Sequence, residues 1–210
     1  MKILLSTAYF PPVQYFSKLL SGYPVVIEKH EHYGKQSYRN RCTILTSNGL
    51  LNLAVPVVKG VFPQVPITEV KIAYNMPWQK LHLKAIESAY RRSPFYEYYI
   101  DELTPFFTTR HTHLYDFNLQ IMRVLCRLVQ IPFQIAESDS YQRMPSDVAD
   151  FRSGIHPKRS RQKPDPEFTQ VAYAQVFSEK FDFQPNLSIL DLLFNMGPDT
   201  IKVLKTNNSH

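Results

Sequence analysis

Residues 3–27, ILLSTAYFPPVQYFSKLLSGYPVVI, contain three short segments that each have a pattern of regular secondary structure. Residues 3–8 form a short apolar run that is typical of a buried strand, and Pro11-Pro12 ends it. Residues 13–20 carry apolar side chains at helical spacing, and the short β-branched run at residues 24–27 predicts a second strand. A strand, a helix and a second strand in this order predict a βαβ unit, in which the two strands are parallel.

The next part of the chain has the pattern of a hairpin. Two apolar runs, residues 41–46 and 50–57, flank Ser47-Asn48-Gly49. An Asn-Gly pair between two such runs is a strong short-range signal for an antiparallel hairpin. Residues 67–72 are predicted to form another strand.

The rest of the chain has mainly helical periodicity. Helices are predicted at residues 78–91, 96–107 with a break near Pro105, 114–130 and 187–194, with a short strand at residues 133–136. The predicted fold class is therefore α/β, with an N-terminal strand-helix-strand sheet, a hairpin and a mostly helical C-terminal half.

The composition is that of a folded globular protein. Hydrophobic residues make up 44% of the chain and charged residues 20%, which argues against a disordered chain. No apolar stretch is long enough to span a membrane, and the length of 210 residues predicts a single domain, residues 1–210. Since the N-terminus lacks the pattern of a signal peptide and Cys42 and Cys126 have no CxxC partner, we expect a cytoplasmic location and reduced thiols.

The formal net charge of +6 favours anionic partners. Much of the positive charge lies in a basic loop, residues 150–166, which carries Arg152, His156, Lys158, Arg159, Arg161 and Lys163. Because this loop has few apolar residues, we expect it to be mobile and to lie at the rim of a ligand pocket. Its most basic part, residues 156–163, lacks interleaved aromatic residues for base stacking, which disfavours nucleic acid as the partner.

Two polar stretches are candidates for ligand binding. Gln14 and Tyr15 lie where the first strand gives way to the helix, and ligands of open α/β sheets usually bind beyond the carboxyl ends of the strands. Arg39 and Arg41 would lie on the same side of an extended chain, where two guanidinium groups can bind phosphate or carboxylate. Both stretches are also consistent with ordinary roles, namely a proline-initiated helix packed on aromatic residues and a solvated connection.

Other side chains carry weaker signals. The H-x-H pairs at residues 30–32 and 111–113 have no further ligand at matching spacing, so no metal site is predicted. Cys42 has no histidine fixed beside it that would activate a thiol nucleophile. Ser188 and Asp191 have the spacing of a capping box at the start of a helix.

In its motifs the chain resembles the WbqC-like protein family, a bacterial group often associated with gene clusters for O-antigen and other surface polysaccharides. The resemblance covers nearly the whole length and rests on motifs in a fixed order, namely YFPPVQYF at 9–16, KQSYRNR at 35–41, WQKLH at 78–82, SPFY at 93–96, YAQVF at 173–177 and FQPNLSILDLLFNMG at 183–197. Other members carry a longer stretch between the regions of Phe133 and Tyr173, where this chain has the basic loop.

The resemblance implies a role in surface-polysaccharide biosynthesis. It leaves open whether the chain is an enzyme and favours a transferase, one that moves an acyl, aminoacyl or nucleotidyl group to a sugar-linked substrate. The alternative is a non-catalytic sugar- or nucleotide-binding protein. The expected partner is an anionic small molecule or a sugar-linked substrate, while the sequence assigns no cofactor and no oligomeric state.

The matched motifs also supply the candidate site residues. His82 is expected to be the general acid or base, because the ordinary histidine pKa near 6.5 suits proton transfer at neutral pH. The residues expected to contact the substrate are Gln14, Tyr15, Arg39, Asn40, Arg41, Trp78, Tyr96, Tyr173 and Gln175.

Overall fold

The computed structural model describes residues 1–58, 64–143 and 145–207, with Arg159 described by its backbone alone. The strands in this part of the chain are β1 (Lys2–Ser6), β2 (Val25–Glu28), β3 (Arg41–Thr46), β4 (Gly49–Ala54), β5 (Ile135–Glu137) and β6 (Val148–Asp150). The α-helices are α1 (Val13–Leu19), α2 (Trp78–Tyr90), α3 (Tyr96–Leu103), α4 (Pro105–Thr108), α5 (Leu114–Leu128), α6 (Ile189–Met196) and α7 (Thr200–Thr206).

A four-stranded parallel sheet forms the first layer, with the strand order β5-β2-β1-β6. Ile3 pairs with Val25 and Leu5 with Ile27, and all four side chains are buried. The βαβ unit predicted from residues 3–27 is therefore confirmed, since α1 connects the parallel strands β1 and β2.

The predicted hairpin is also confirmed. Strands β3 and β4 pair antiparallel from Arg41 opposite Ala54 to Thr46 opposite Gly49. Gly49 has a φ of +100°, in the left-handed region that the tight turn requires. The predicted long helices are present as α2, the pair α3 and α4 with its break at Pro105, and α5.

One prediction for local structure was wrong, and one strand was not predicted. Residues 67–72 form a 3₁₀ turn, Ile67–Glu69, and among the described residues they then make only isolated bridges. The strand that was not predicted is β6, just before the basic loop, which pairs with the edge of β1. A three-residue strand carries no periodic signal, since pairing with a neighbour is what forms it.

Aromatic side chains fill the core between the sheets and the helices. The ring of Phe117 on α5 lies 4.7 Å from that of His111, 5.9 Å from that of Tyr9 and 6.0 Å from those of Trp78 and Phe106, measured between centroids. Phe117 is fully buried, and such ring contacts favour a single packed arrangement. Among the described residues, no helix has the length and apolar character needed to cross a membrane.

Gly197 allows α3 to dock against the end of α6. It follows α6 with a φ of +53°, and a Cβ at this position would lie 2.5 Å from the ring of Phe95. The backbone N–H of Phe95 donates to the carbonyl of Phe194 at 3.0 Å. Only a residue without a Cβ fits this contact, so a glycine is required here.

We expect Gly197→Ala to lower the free energy of unfolding by about 2–4 kcal/mol, because the cost of a positive φ, about 1 kcal/mol, adds to an overpacking cost of about 1–3 kcal/mol. Gly22→Ala is the matched control, since Gly22 also has a positive φ but a Cβ added there would meet no atom within 4 Å. The control should lose only about 1 kcal/mol. Urea denaturation measures both values, and equal losses would contradict a steric role of Phe95.

Candidate functional site

A crevice lies beyond the carboxyl ends of β1 and β6. From β1 the chain continues to β2 on one side, whereas β6, on the other side of β1, is reached from β5. Such a reversal of strand order is where parallel sheets usually bind ligands. Two adjoining cavities share Ser37, Arg39 and Arg152 in their walls, and the larger, of about 430 Å³, opens towards solvent.

Arg39 forms one wall of the crevice. Its Nε donates to Oε1 of Glu31 at 2.8 Å, and its Nη2 donates to Oε2 of the same carboxylate and to Oγ of Ser6 at 2.7 Å. Ser6 is the last residue of β1, and Glu31 follows β2 by three residues. The ion pair therefore joins the ends of two parallel strands and fixes the orientation of the guanidinium group.

Arg152 forms the opposite wall. Its Nη1 donates to Oε2 of Glu28 at 3.1 Å, and its Nε and Nη2 donate to the carboxylate of Asp150 at 3.0 and 2.7 Å. The side chains of Arg152 and Glu28 are only 6% and 1% exposed. Burial of a charged pair costs free energy unless several hydrogen bonds compensate it, and here three do so.

The basic loop supplies the outer part of the crevice. His156 and Arg161 of this loop line the larger cavity, together with Lys35, Arg39 and Arg152. No carboxylate among the described residues lines either cavity, because Glu28, Glu31 and Asp150 lie behind the arginines. The wall facing a ligand is therefore cationic, although the inner arginines are compensated from behind.

His156 is a buried titratable group at this wall. Burial lowers its pKa, and the nearby charges of Arg161 and Arg39 lower it further. The backbone N–H of Lys158 donates to its Nδ1 at 3.0 Å. A neutral imidazole that accepts at Nδ1 carries its proton on Nε2, so His156 can donate a hydrogen bond from Nε2 to an anion.

Buried ion pairs anchor the basic loop near both of its ends. Arg152 fixes its beginning, and near its end Oδ1 of Asp165 lies 2.7 Å from Nζ of Lys18 on α1. The Lys18 side chain is 1% exposed, and its Nζ lies 4.7 Å from the centroid of the Phe151 ring. The two buried ion pairs tie the loop to α1 and to the end of β2, contacts that the apolar content of the loop does not reveal.

Gln14 and Tyr15 lie on the first turn of α1 and have structural contacts. Gln14 donates from Nε2 to Oδ2 of Asp165 at 2.8 Å and accepts at Oε1 from Nδ2 of Asn186 at 3.1 Å. Tyr15 is buried, and its hydroxyl donates to the carbonyl of Ser6 at 2.9 Å. Of the two, only Tyr15 lines the crevice, through the smaller cavity.

The structure does not bring Arg39 and Arg41 together on one side of a strand. Residues 35–40 form turns, so β3 begins only at Arg41. Arg41 lines neither cavity of the crevice. Both guanidinium groups lie near Tyr33: burial raises the pKa of Tyr33, and the charges of Arg41 and Arg39 lower it in part. Asn40, between them, is buried and donates from Nδ2 to the carbonyl of Val55 at 2.9 Å.

His82 lies in the aromatic core and does not line the crevice. Its Nδ1 is 2.9 Å from the hydroxyl of Tyr9, and its ring centroid is 5.1 Å from that of Trp78. Burial lowers the pKa of His82 to about 4, although a hydrogen bond with the backbone of Ala54 raises it in part. Both polar ends of the imidazole therefore have protein partners.

The remaining predicted residues lie around α6. Tyr96 packs against Phe194 with ring centroids 5.2 Å apart. The hydroxyl of Tyr173 and Nε2 of Gln175 both donate to Oδ2 of Asp191, at 2.7 and 2.9 Å. Burial raises the pKa of Asp191, while these two hydrogen bonds lower it.

The capping box predicted at Ser188 and Asp191 is confirmed only at Ser188, which is the N-cap of α6. Oγ of Ser188 accepts from the backbone N–H of Leu190, whereas the carboxylate of Asp191 is held by Tyr173 and Gln175. In the part of the chain that the structure describes, no group of three or more histidine, cysteine, aspartate or glutamate residues could hold a metal ion.

Sequence reasoning missed Ser6 and Glu31 as site residues, and it treated Arg152 and His156 only as loop charges. One signal was available for the first two. Polar residues directly beyond parallel strands gather at one edge of the sheet, and both Ser6 and Glu31 have that position. The burial of Arg152 had no signal, because it depends on pairing with Glu28, 124 residues away.

Fold and site together define an α/β protein with a cationic crevice at the carboxyl edge of a four-stranded parallel sheet. The model of the WbqC-like protein family matches residues 7–158, which is more than half of the chain. The chain belongs to the WbqC-like protein family. It is similar to the uncharacterized protein Rv1507c of Mycobacterium tuberculosis (strain ATCC 25618 / H37Rv), with 29% identity over 229 aligned positions that cover 96% of each chain. No solved structure gives a significant match.

We expect Asp165→Ala to lower the free energy of unfolding by about 3–5 kcal/mol, because it leaves the buried ammonium group of Lys18 without its close partner. The matched control is Glu167→Ala, since the Glu167 carboxylate lies 4.0 Å from the same nitrogen and is 49% exposed. The control should lose less than about 1 kcal/mol. Urea denaturation measures both, and trypsin should cleave after Arg161 faster in Asp165→Ala; equal stabilities would contradict the anchoring role.

A second prediction concerns the pH dependence of stability. A histidine whose folded pKa is below its unfolded value of about 6.5 contributes stability that is full above pH 6.5 and is lost as the pH falls towards the folded pKa. For His82, with a folded pKa of about 4, the loss between pH 7 and pH 4.5 is about 2 kcal/mol. His82→Gln should remove this part of the acid sensitivity, whereas His32→Gln, which changes an exposed residue, should not. Identical pH profiles for all three proteins would refute the assignment.

Proposed function

We propose that the crevice binds the anionic group of a sugar-linked small molecule, and that the protein acts in the cytoplasm as a transferase in bacterial surface-polysaccharide biosynthesis. The group transferred would be an acyl, aminoacyl or nucleotidyl group. Membership of the WbqC-like family supports the pathway context, and the crevice supports the anionic substrate.

The observation that carries the proposal is the convergence of Arg39, Arg152 and Arg161 on one cavity beyond the carboxyl ends of β1 and β6. Guanidinium N–H groups donate hydrogen bonds to phosphate and carboxylate oxygens. The hydrogen bonds described above do not use Nη1 of Arg39 and use only one N–H of Arg152 Nη1, so these N–H groups can turn to a ligand. The inner two arginines are held rigidly by buried carboxylates, so little side-chain entropy is lost when a ligand binds. Arg161 is exposed and supplies charge at the open side.

His156, and not His82, is the histidine that lines the cavity, and its lowered pKa favours the neutral imidazole at pH 7. A neutral ring with its proton on Nε2 can donate a hydrogen bond to a substrate oxygen, and in a transfer reaction that hydrogen bond would orient and polarise the reacting group. Ser6 and Ser37 add hydroxyl groups to the same walls.

The alternative function is a non-catalytic sugar- or nucleotide-binding protein. It is favoured by the enclosure of His82, since the histidine expected to be catalytic has protein partners on its ring and lies outside the crevice. The aromatic residues expected to contact the substrate do not support this alternative, because Trp78, Tyr96 and Tyr173 are buried in the core.

Arg161→Gln tests the proposal. Arg161 lines the cavity but belongs to no ion pair among the described residues, so its replacement should leave the fold intact. We expect the variant to bind sugar phosphates and inorganic pyrophosphate about tenfold more weakly than the unchanged protein, since one charge-assisted contact to phosphate is worth about 1.5 kcal/mol. Isothermal titration calorimetry measures the affinities.

The matched control is Arg127→Gln, which removes the same charge from the exposed face of α5. Equal losses of affinity in both variants would show that the effect comes from net charge alone, and no binding of any anion would refute the proposal.

Once a ligand is found, turnover of that ligand with an acceptor sugar separates the two functions. A His156→Gln variant that binds normally but does not turn over indicates a transferase, whereas binding without turnover in the unchanged protein indicates the binding protein.

A further inference from the structure

A groove of about 910 Å³, larger than the crevice, lies on another part of the molecule. It is bounded by the second half of α2, by the turn that follows α2, by the segment at residues 174–177 and by Asn195 near the end of α6. It shares no lining residue with either cavity of the crevice. Its volume falls within the range of about 300–1,000 Å³ that is usual for small-molecule sites.

Two buried amide side chains form the floor of this groove. Gln175 and Asn195 are 5% and 8% exposed and both line the groove. Gln175 donates to Oδ2 of Asp191 and to the carbonyl of Gln184, and its Oε1 accepts from the backbone N–H of Gln184. Nδ2 of Asn195 donates to the backbone carbonyl of Asp191 at 2.7 Å. Asp191 therefore holds both amides in place.

The amide oxygen of Asn195 remains available to a ligand. Within the described residues Oδ1 of Asn195 accepts no hydrogen bond, whereas one N–H of Nδ2 donates to the Asp191 carbonyl. A positioned carbonyl oxygen recognises a hydroxyl or amino group, because it can only accept. The floor thus offers one acceptor in a fixed orientation.

The rim of the groove is cationic. Lys84, Arg91 and Arg92 line it with a single carboxylate among the described residues, that of Glu87. Arg91 and Glu87 are 3.8 Å apart and are 71% and 48% exposed, so their ion pair is weak. The groove lies near the carboxyl ends of α2 and α6, and each helix end carries about half a negative charge. The three cations outweigh the sum of these two partial charges and the Glu87 carboxylate.

The walls between floor and rim are apolar. They include Ala89, Pro94, Val176 and the half-buried ring of Phe177. An aromatic ring beside guanidinium groups is suited to stacking with a flat heterocycle. Cations at the rim, an aromatic wall and a hydrogen-bond acceptor in the floor match the phosphates, the base and an amino or hydroxyl group of one molecule.

We propose that this groove is a second ligand site, separate from the crevice, and that it binds a nucleoside diphosphate. Arg91 and Arg92 contact the phosphate groups, Phe177 stacks with the base, and Oδ1 of Asn195 accepts a hydrogen bond from the base or the ribose. Asp191 is a positioning residue, which acts through Gln175 and Asn195.

The double variant Arg91→Gln/Arg92→Gln tests the site, because both side chains are exposed and their replacement should not affect folding. ADP, GDP, CDP and UDP are titrated by calorimetry into the unchanged protein and the variant. We expect at least one of them to bind, with an affinity that falls roughly tenfold or more in the double variant. It should be unchanged in Arg161→Gln, which alters the crevice, and in the surface control Arg127→Gln.

Phe177→Leu tests the assignment of the base. Loss of stacking should weaken the same nucleotide about fivefold, whereas an unchanged affinity would overturn the nucleoside assignment. Absence of binding by all four nucleotides, or equal binding by the double variant, would overturn the site itself. A loss in Arg161→Gln but not in the double variant would assign the nucleotide to the crevice and refute the second site.

Discussion

The compensation of buried charge determines how the cationic crevice is built. Arg152 is almost fully buried, and it remains charged because Glu28 at the end of β2 and Asp150 at the end of β6 both accept its hydrogen bonds. Arg39 is held in the same way by Glu31 and Ser6. An arginine buried without such partners would cost several kcal/mol, so the carboxylates are a condition for placing guanidinium groups at the sheet edge. The result is a rigid wall that presents cations to one side and hides carboxylates on the other.

The same constraint explains the path of the basic loop. Its polar sequence has little to bury, yet its ends are fixed by ion pairs to Glu28 and Lys18 that lie in the protein interior. Between these two anchors the loop carries His156 and Arg161 to the open side of the crevice. Charge pairing, rather than apolar burial, therefore brings the loop to the site.

The aromatic core is held together by apolar packing instead of charge pairing, and it buries several residues that the sequence suggested as site residues. Trp78 and His82 lie on one face of α2, as their spacing predicts, but that face packs against Tyr9 and Phe117. A histidine inside such a core is more stable neutral, so the imidazole is suited to packing and hydrogen bonding. The position of a titratable residue in a motif does not distinguish this environment from a catalytic one, because both environments use the same residue types.

By itself the sequence determined the α/β class, the strand-helix-strand unit at residues 3–27, the Asn-Gly hairpin and the excess of positive charge. These features were predictable because periodicity and turn residues act between near neighbours and composition sums over the chain. For the crevice, the sequence indicated Arg39 as a ligand-binding residue, but it did not indicate Glu31 and Ser6, which hold the guanidinium group in place. Only the tertiary structure decided which charges meet, since Arg152 and Glu28 are separated by 124 residues and no local pattern encodes such a pair. Contacts between distant segments form only when the chain has folded, and they decide which polar residues remain available to a ligand.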